Sequence, residues 1–410
     1  MNPDPAVAIL TRIIRLGPSS RAGLAREMQL SPASLSRIVR PLLEAGLLSD
    51  DLSGLSSSGM GRPSQLLEVP SHRFAFAGIS VGSRELHGVL TDVRADVLCH
   101  LTRPLNEQTP AAIGEAITVL TSDVLAELQR WSTATPGEKS RASGDAPPAS
   151  STGAPTGLPL KLQNLTIVAK GSSSQELFAQ GTGALNLPRV PIQVISTTDG
   201  LRILEQWFGV GREEEAFVLS TIDDDIHTRR VDSSHSIQSF LQPTSHHDPT
   251  AHLPLAGATG ICQYGHVGCA AGALTQAAVI GRARSGRLLI GDNEHRPFNL
   301  TDLTYLAEIG DLPSRSALTE FGSNIATFAT TIGRAMGVND VVLDGECLTL
   351  FDSPWAIDAF EARMNTFSVP GLAPLRSHPR TGYSLRQARG AAAAGIATWV
   401  SNALSNGTQR

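Results

Sequence analysis

The chain has 410 residues, 41% hydrophobic and 17% charged, with a formal net charge of −5. That length suits two or three domains, and the composition excludes a collagen-like or wholly disordered chain. The acidic balance excludes a surface that is basic throughout, so nucleic-acid contact requires a local patch. With no run of about 18 apolar residues and no charged-then-apolar leader, a cytoplasmic location without membrane contact is expected.

Ala6–Leu16 places Val7, Leu10 and Ile14 on one face and predicts a first helix. Ser20 is a cap candidate for a short second helix with Leu24, Ala25 and Met28 inward. After the turn at Gln29-Leu30, Ser31 is an N-cap candidate and Pro32 suits the first helical position. The third helix then buries Leu35, Ile38, Val39 and Leu42 and exposes Ala33, Ser34, Ser36, Arg37 and Arg40. Small polar residues let such a helix approach a major groove, where arginine reaches guanine or phosphate. Pro41 removes one helical hydrogen bond and is expected to bend this helix. Residues 1–43 carry six arginines (12, 15, 21, 26, 37 and 40) against Asp4 and Glu27. That surplus of positive charge lies within an acidic chain, and Arg21 falls in it. A hairpin follows, with Gly59-Met-Gly-Arg-Pro63 at its tip, which offers Arg62 to a minor groove. The expectation is a winged helix-turn-helix over residues 1–70. The competing reading, a small packing domain with solvated arginines, fits less well because cap, turn, charge and wing agree.

From Phe74 the pattern becomes α/β. Strands are predicted at Phe74–Gly82, Glu85–Thr91, Ala95–Cys99, Leu162–Ala169 and Val190–Ser196, with a helix over Pro110–Trp131. Residues 132–159, rich in Ser, Ala, Pro, Gly and Thr, read as a disordered insertion within a lobe spanning 71–195. A second lobe is expected over 196–410. Its strands fall near Ala216–Ile222 and Val341–Asp344, and its helices at Arg315–Met336, Trp355–Asn365 and Ser384–Leu404.

A winged head ending in Gly61-Arg-Pro63, followed by an α/β domain, resembles the ROK family (repressors, open reading frames and sugar kinases). The narrower likeness is to its xylose-repressor and N-acetylglucosamine-repressor type. It implies a two-lobed actin-like (ribonuclease-H-like) domain behind the head. The family's kinases use an Asn-Asp pair to hold the sugar and take its proton. Aligned on Pro191 and Glu205–Gly209, that pair falls on Ser196-Thr197, and threonine cannot serve as the base. Asp199 could replace it only if the segment slips; otherwise it is solvated or caps a helix. The Asp-x-Gly phosphate loop reads Ser80-Val-Gly82, and the second Gly-rich loop reads Asp223-Asp-Asp225, which repels phosphate. The Gly-Glu-x-Gly-His sugar contact becomes Asp248-Pro-Thr-Ala-His252, and a further expected glutamate is Ala271. Together these losses argue against phosphoryl transfer, leaving Ser196, Thr197, Asp199 and His252 as the remnant of a ligand site.

The same resemblance implies a structural zinc held by His-x9-Cys-x-Cys-Gly-x-x-Gly-Cys. This chain has His252, Cys262, Cys269 and, in place of the middle cysteine, Tyr264; His266 stands two residues on. A Cys2His2 zinc site and a metal-free relic loop both remain open. His235, His246 and His247 read as exposed loop histidines, with His247 a candidate spare ligand. The four cysteines, Cys99 and Cys347 included, are too few for a disulfide framework.

Three function classes follow. The leading one is a sequence-specific transcription regulator, a repressor in expectation, binding palindromic double-stranded DNA as a homodimer or homotetramer. Its effector is a sugar or derivative other than an ordinary hexose, or else sensing has been lost. The others are a sugar kinase carrying a DNA-binding head and an oligomeric scaffold.

Overall fold

The computed structural model describes residues 4–50, 66–133, 160–169, 190–232, 248–285, 298–368 and 370–403. Arg62, His235, His246, His247 and nearly all of the 132–159 insertion lie outside these residues.

The chain divides into two compact units. The first opens with helices α1 (Pro5–Leu16), α2 (Arg21–Glu27) and α3 (Pro32–Glu44). Asp4 caps α1, accepting from Ala6 N at 2.9 Å, and Ser20 caps α2, accepting from Gly23 N at 3.0 Å. Strand β1 (Ser19–Ser20) pairs antiparallel with β2 (Leu66–Leu67), and Ser49 bridges Glu68, so both legs of the wing sit against the helices. α3 runs through Pro41 to Glu44. Between α2 and α3, Gln29 takes φ 55°, a left-handed conformation costly for any residue with a Cβ.

A five-stranded sheet follows in the order β5-β4-β3-β6-β7. Its strands are β3 (Phe74–Val81), β4 (Glu85–Thr91), β5 (Val97–Pro104), β6 (Lys161–Ala169) and β7 (Ile192–Ser196). The β3-β4-β5 meander is antiparallel, whereas β6 and β7 join in parallel. Helix α4 (Pro110–Thr133) buries Ile113, Ile117, Leu120 and Val124 in the core that also holds Ile79, Leu86 and Leu90. Two further helices complete the unit: α5 (Thr197–Phe208) and α11 (Tyr383–Ala403), which belongs to it from Ser384 onward. Both lie beyond residue 196, where the second lobe was expected to begin. They pack here because their glycines and alanines permit backbone contact. A Cβ on Gly390 would stand 2.7 Å from the Gly200 carbonyl carbon, and one on Gly78 would stand 2.0 Å from the Ala388 oxygen. The head is not a separate body. Ile9, Leu10, Leu35, Val39 and Leu67 share one continuous core with Phe76, Leu204, Trp207, Ala392 and Ile396.

The second unit holds a four-stranded sheet, order β11-β10-β8-β9. Its strands are β8 (Ala216–Ile222), β9 (Ile226–Asp232), β10 (Asp340–Asp344) and β11 (Arg376–Pro379). An antiparallel hairpin, β8-β9, is again extended by parallel strands, as in the first unit. Its helices are α6 (Ala270–Leu274), α7 (Gln276–Arg284), α8 (Leu300–Glu308), α9 (Leu312–Ala335) and α10 (Pro354–Thr366). α9 forms the middle of the core through Leu318, Phe321, Ile325 and Phe328. Among the described residues no helix is long and apolar enough to cross a membrane.

Candidate nucleic-acid interface and metal centre

α3 begins as its sequence dictates. Ser31 Oγ accepts from Ser34 N at 3.1 Å and donates to Ser34 Oγ at 2.9 Å. Leu35, Val39 and Leu42 are buried, while Ala33, Ser36, Arg37 and Arg40 are exposed and Ser34 is half-buried. These residues therefore form one solvent-facing surface at the helix start. The basic patch, however, is smaller than the arginine tally suggests. Arg21 pairs with Asp50 at 2.9 Å, Arg12 with Glu27 at 2.9 Å, and Arg40 with Glu44 at 2.8 Å. Arg15 turns inward instead, donating to the Gln206 and Gly211 carbonyls at 2.9 and 2.6 Å. Burial, then the charge of Arg212, lowers the Arg15 pKa. Arg26 and Arg37 remain as exposed cations, Arg37 without an ion pair among the described residues. Exposed pairs such as Arg40–Glu44 are worth about 0–1 kcal/mol, so an incoming phosphate can displace the carboxylate.

In the first unit, Ser196 is the N-cap of α5. Its Oγ accepts from Asp199 N at 3.1 Å and donates to Asp199 Oδ2 at 2.7 Å. Arg202, buried, stands 3.5 Å from the other Asp199 oxygen. Asp199 is thus held in a first helical turn, with one carboxylate oxygen on a hydroxyl and the other facing a cation. Thr197 is buried beside it. Ser80 is also buried, and its hydroxyl donates to the Ser384 carbonyl at 3.1 Å.

In the second unit, the loop after β8 carries its own anion. Asp223 accepts from Glu346 N and from the Tyr383 hydroxyl, the latter at 2.6 Å. In place of glycines that present N–H groups to phosphate, this loop offers a carboxylate already occupying a backbone donor.

His252 ends a single 3-10 turn, Pro249–His252, while Cys262 and His266 flank a small reversal closed by the Ile261–Val267 bridge. Gly265 and Gly268, at φ 81° and 71°, supply the left-handed positions it needs. Cys269 then caps α6, its Sγ accepting from Gly272 N at 3.5 Å. The four donor atoms lie within 4.8 Å of one another. His252 Nδ1 stands 3.2 Å from His266 Nδ1, 3.8 Å from Cys262 Sγ and 3.9 Å from Cys269 Sγ. A zinc tetrahedron with ordinary bond lengths has edges of about 3.3 Å between nitrogens and about 3.5 Å between nitrogen and sulfur. The three distances to His252 lie within a few tenths of an ångström of these edges, while the widest separation in the set, up to 4.8 Å, must close by about 1 Å for all four to meet one ion. Burial opposes ionisation of Cys262, but amides of Tyr264 and His266 and the neighbouring Cys269 bring its thiol below the ordinary value. Tyr264, at the lost cysteine position, is half exposed and lies edge-on to His252, centroids 5.2 Å apart.

Comparisons with known proteins agree with this architecture. No protein-family model matches the chain. A transcriptional regulator of Mycobacterium tuberculosis H37Rv is 38% identical over 130 residues, 31% of this chain and 29% of that protein. NagC, a DNA-binding transcriptional dual regulator of Escherichia coli K12, is 29% identical over 125 residues, 30% of each chain. The matched stretches span less than a third of these curated relatives. A ROK family transcriptional regulator described as a homologue of the E. coli MLC protein superposes with a TM-score of 0.65. That match covers 99% of this chain and 100% of the other at 16% identity. A ROK family glucokinase from Streptomyces griseus, solved with glucose and AMPPNP, gives a TM-score of 0.50 at 11% identity. It covers 78% of this chain and 98% of the glucokinase. The fold is therefore a winged helical head before an α/β domain of the actin-like ROK type. In fold and in its matched sequence the chain resembles the ROK transcriptional regulators, the repressors among them.

Proposed function

We propose that this chain is a sequence-specific transcription regulator, a repressor that reads palindromic double-stranded DNA as a homodimer or homotetramer in the cytoplasm. The observation that carries the reading is the exposed start of α3, where Ala33, Ser34, Ser36 and Arg37 share one surface above a buried Leu35, Val39 and Leu42. Arg37 reads a base edge, while Arg21, Arg40 and the wing residue Arg62 hold phosphate or minor groove. Selecting bound duplexes from a random pool at physiological salt tests this: an enriched palindrome supports it, and an unenriched pool refutes it.

A kinase reading has one point in its favour, the likeness in fold to the Streptomyces griseus glucokinase. Against it stand Thr197 at the base position, the restrained Asp199, the buried Ser80 and the self-occupied Asp223 loop. Absence of ATP consumption across a sugar panel is expected. Turnover that vanishes in Asp199→Ala would restore the kinase. The Ser196–Asp199 turn of the first unit is proposed as what remains of a small-molecule effector site, for a sugar derivative. His252, Cys262, His266 and Cys269 are proposed to hold one structural zinc, which would tie the 3-10 turn, the reversal and the start of α6 together.

A further inference from the structure

Helix α5 has two unlike ends. At its start, Ser196 Oγ caps the Asp199 amide, and Asp199 places an anion in the first turn. At its finish, the last carbonyls of a helix lack partners within it and carry partial negative charge. Here a cation from another part of the chain meets one of them: a single guanidinium nitrogen of Arg15, in the last turn of head helix α1, donates to Gln206 O and to Gly211 O in the 3-10 turn that follows, across 191 and 196 residues of sequence. The sides of α5 are constrained as well. Gly200 lies against the Gly390 backbone, Trp207 and Leu204 are in the core shared with the head, and buried Glu205 accepts from Arg386 at 2.6 Å. A second guanidinium repeats the pattern at the head's other edge. Arg73, just before β3, donates to the Gly46 carbonyl at 3.0 Å, immediately after α3. Gly46 has φ 66°, and a Cβ there would fall 2.2 Å from the Arg73 guanidinium.

We infer that Arg15 is a positioning residue: through its hold on the end of α5 and the turn after it, chemistry at the Ser196–Asp199 end sets the placement of α1 and, through the shared core, of α3. The inference rests on the reading of α3 as the DNA-reading helix. The two ends of α5 are about 18 Å apart at 1.5 Å per residue. Independent sites at that separation normally show additive effects. A rigid helix fastened at both ends does not, because a tilt at one end must appear at the other. A tether between head and lobe would absorb the tilt, but the continuous core from Ile9 to Ile396 leaves no tether here.

The test is a double-mutant cycle on the full chain with Asp199→Ala and Arg15→Gln. Amide exchange in 32–44 and affinity for the selected duplex are both measured. Asp199→Ala alone is expected to change both by about fivefold or more, and to do nothing further once Arg15 is replaced. Single effects that multiply to within about twofold of the double variant overturn the relay. Arg15→Met keeps the apolar stem and loses both donated bonds; it serves where Arg15→Gln does not fold and is expected to uncouple the ends equally. Full coupling in Arg15→Met overturns the role of the Arg15 bonds. The two readings fail separately: coupled exchange without an enriched duplex supports the relay and refutes DNA reading, and additive exchange with intact binding does the reverse.

Discussion

Substituting Cys262 by serine removes a soft donor from a cluster otherwise made of His252, His266 and Cys269. Cys262 is 7% exposed, so the serine hydroxyl would enter a buried position with weaker affinity for zinc. Loss of an outer-shell partner alone weakens metal sites about 10–100-fold, and loss of a ligand weakens them at least as much. At free zinc of about 1,000 times the dissociation constant, binding stabilises the folded state by about 4 kcal/mol. A hundredfold weaker site retains about 1.4 kcal/mol of this, a loss of roughly 2.7 kcal/mol. For a unit of this size that corresponds to roughly 5–11 °C in Tm. The assay is elemental analysis of protein purified without chelators, followed by thermal unfolding with and without a zinc chelator. One zinc per chain is expected in the natural protein, with a chelator-induced drop in Tm that Cys262→Ser largely abolishes. Less than roughly a tenth of an equivalent of zinc, or equal Tm values for both proteins under both conditions, would refute the ligand assignment.

Arg37→Ala is expected to lower discrimination among duplexes by about 5–150-fold, the worth of one bidentate base contact of about 1–3 kcal/mol, measured as a ratio of dissociation constants for selected and scrambled sites. Arg40→Ala should weaken both duplexes alike and reduce the salt slope by about one, since its exposed bond to Glu44 leaves it a phosphate contact. At Gln29, with φ 55°, glycine should stabilise the chain by up to about 1 kcal/mol in denaturant titration; destabilisation would show that the Gln29 side chain contributes more than its backbone costs. Asp92 provides a pH test. Burial, followed by the charge of Asp96, pushes its carboxyl up to about 6. A folded-state value above the unfolded one means the proton is held more tightly in the native chain. The associated stability is complete below about pH 4 and is lost as pH rises through about 6, up to about 3 kcal/mol by linkage and less for a partly exposed turn. Asp92→Asn retains an acceptor for the Arg94 and Asp96 amides, which Asp92 Oδ1 meets at 2.8 and 3.0 Å, and should flatten that slope. An unchanged pH profile would place the titration elsewhere.

Much of the candidate site is local, which is why the sequence discloses it. A serine at an N-cap, a proline at N1 and apolar residues three and four apart specify α3 within thirteen residues, and the structure adds only that Pro41 is tolerated. The metal cluster is legible for the same reason: its four residues span 252–269, and glycines set the reversals between them. The first sheet's strands and β8 and β10 of the second are marked by apolar runs, with ends differing by a few residues, as at β5, which runs Val97–Pro104 rather than Ala95–Cys99. The helices α5 to α8 and the strands β9 and β11 are not marked: the helices have at most twelve residues, β9 carries two arginines, and β11 is a four-residue edge strand containing Arg376 and His378.

What the sequence by itself determined is therefore the head, the α/β alternation and the Cys/His spacing, because each follows from contacts between near neighbours. Only the tertiary structure decided which arginines face solvent. Arg12, Arg15 and Arg21 are alike in composition and charge, yet one meets Glu27, one a carbonyl at the end of α5 and another in the turn after it, and one Asp50. Tertiary packing likewise decided that α5 and α11 join the first unit, through glycine contacts between positions 200 and 390 that no local periodicity encodes. The physical reason is common to both cases. A charge or a glycine has no preferred partner until the chain closes a long loop, and the partner it then finds determines its role.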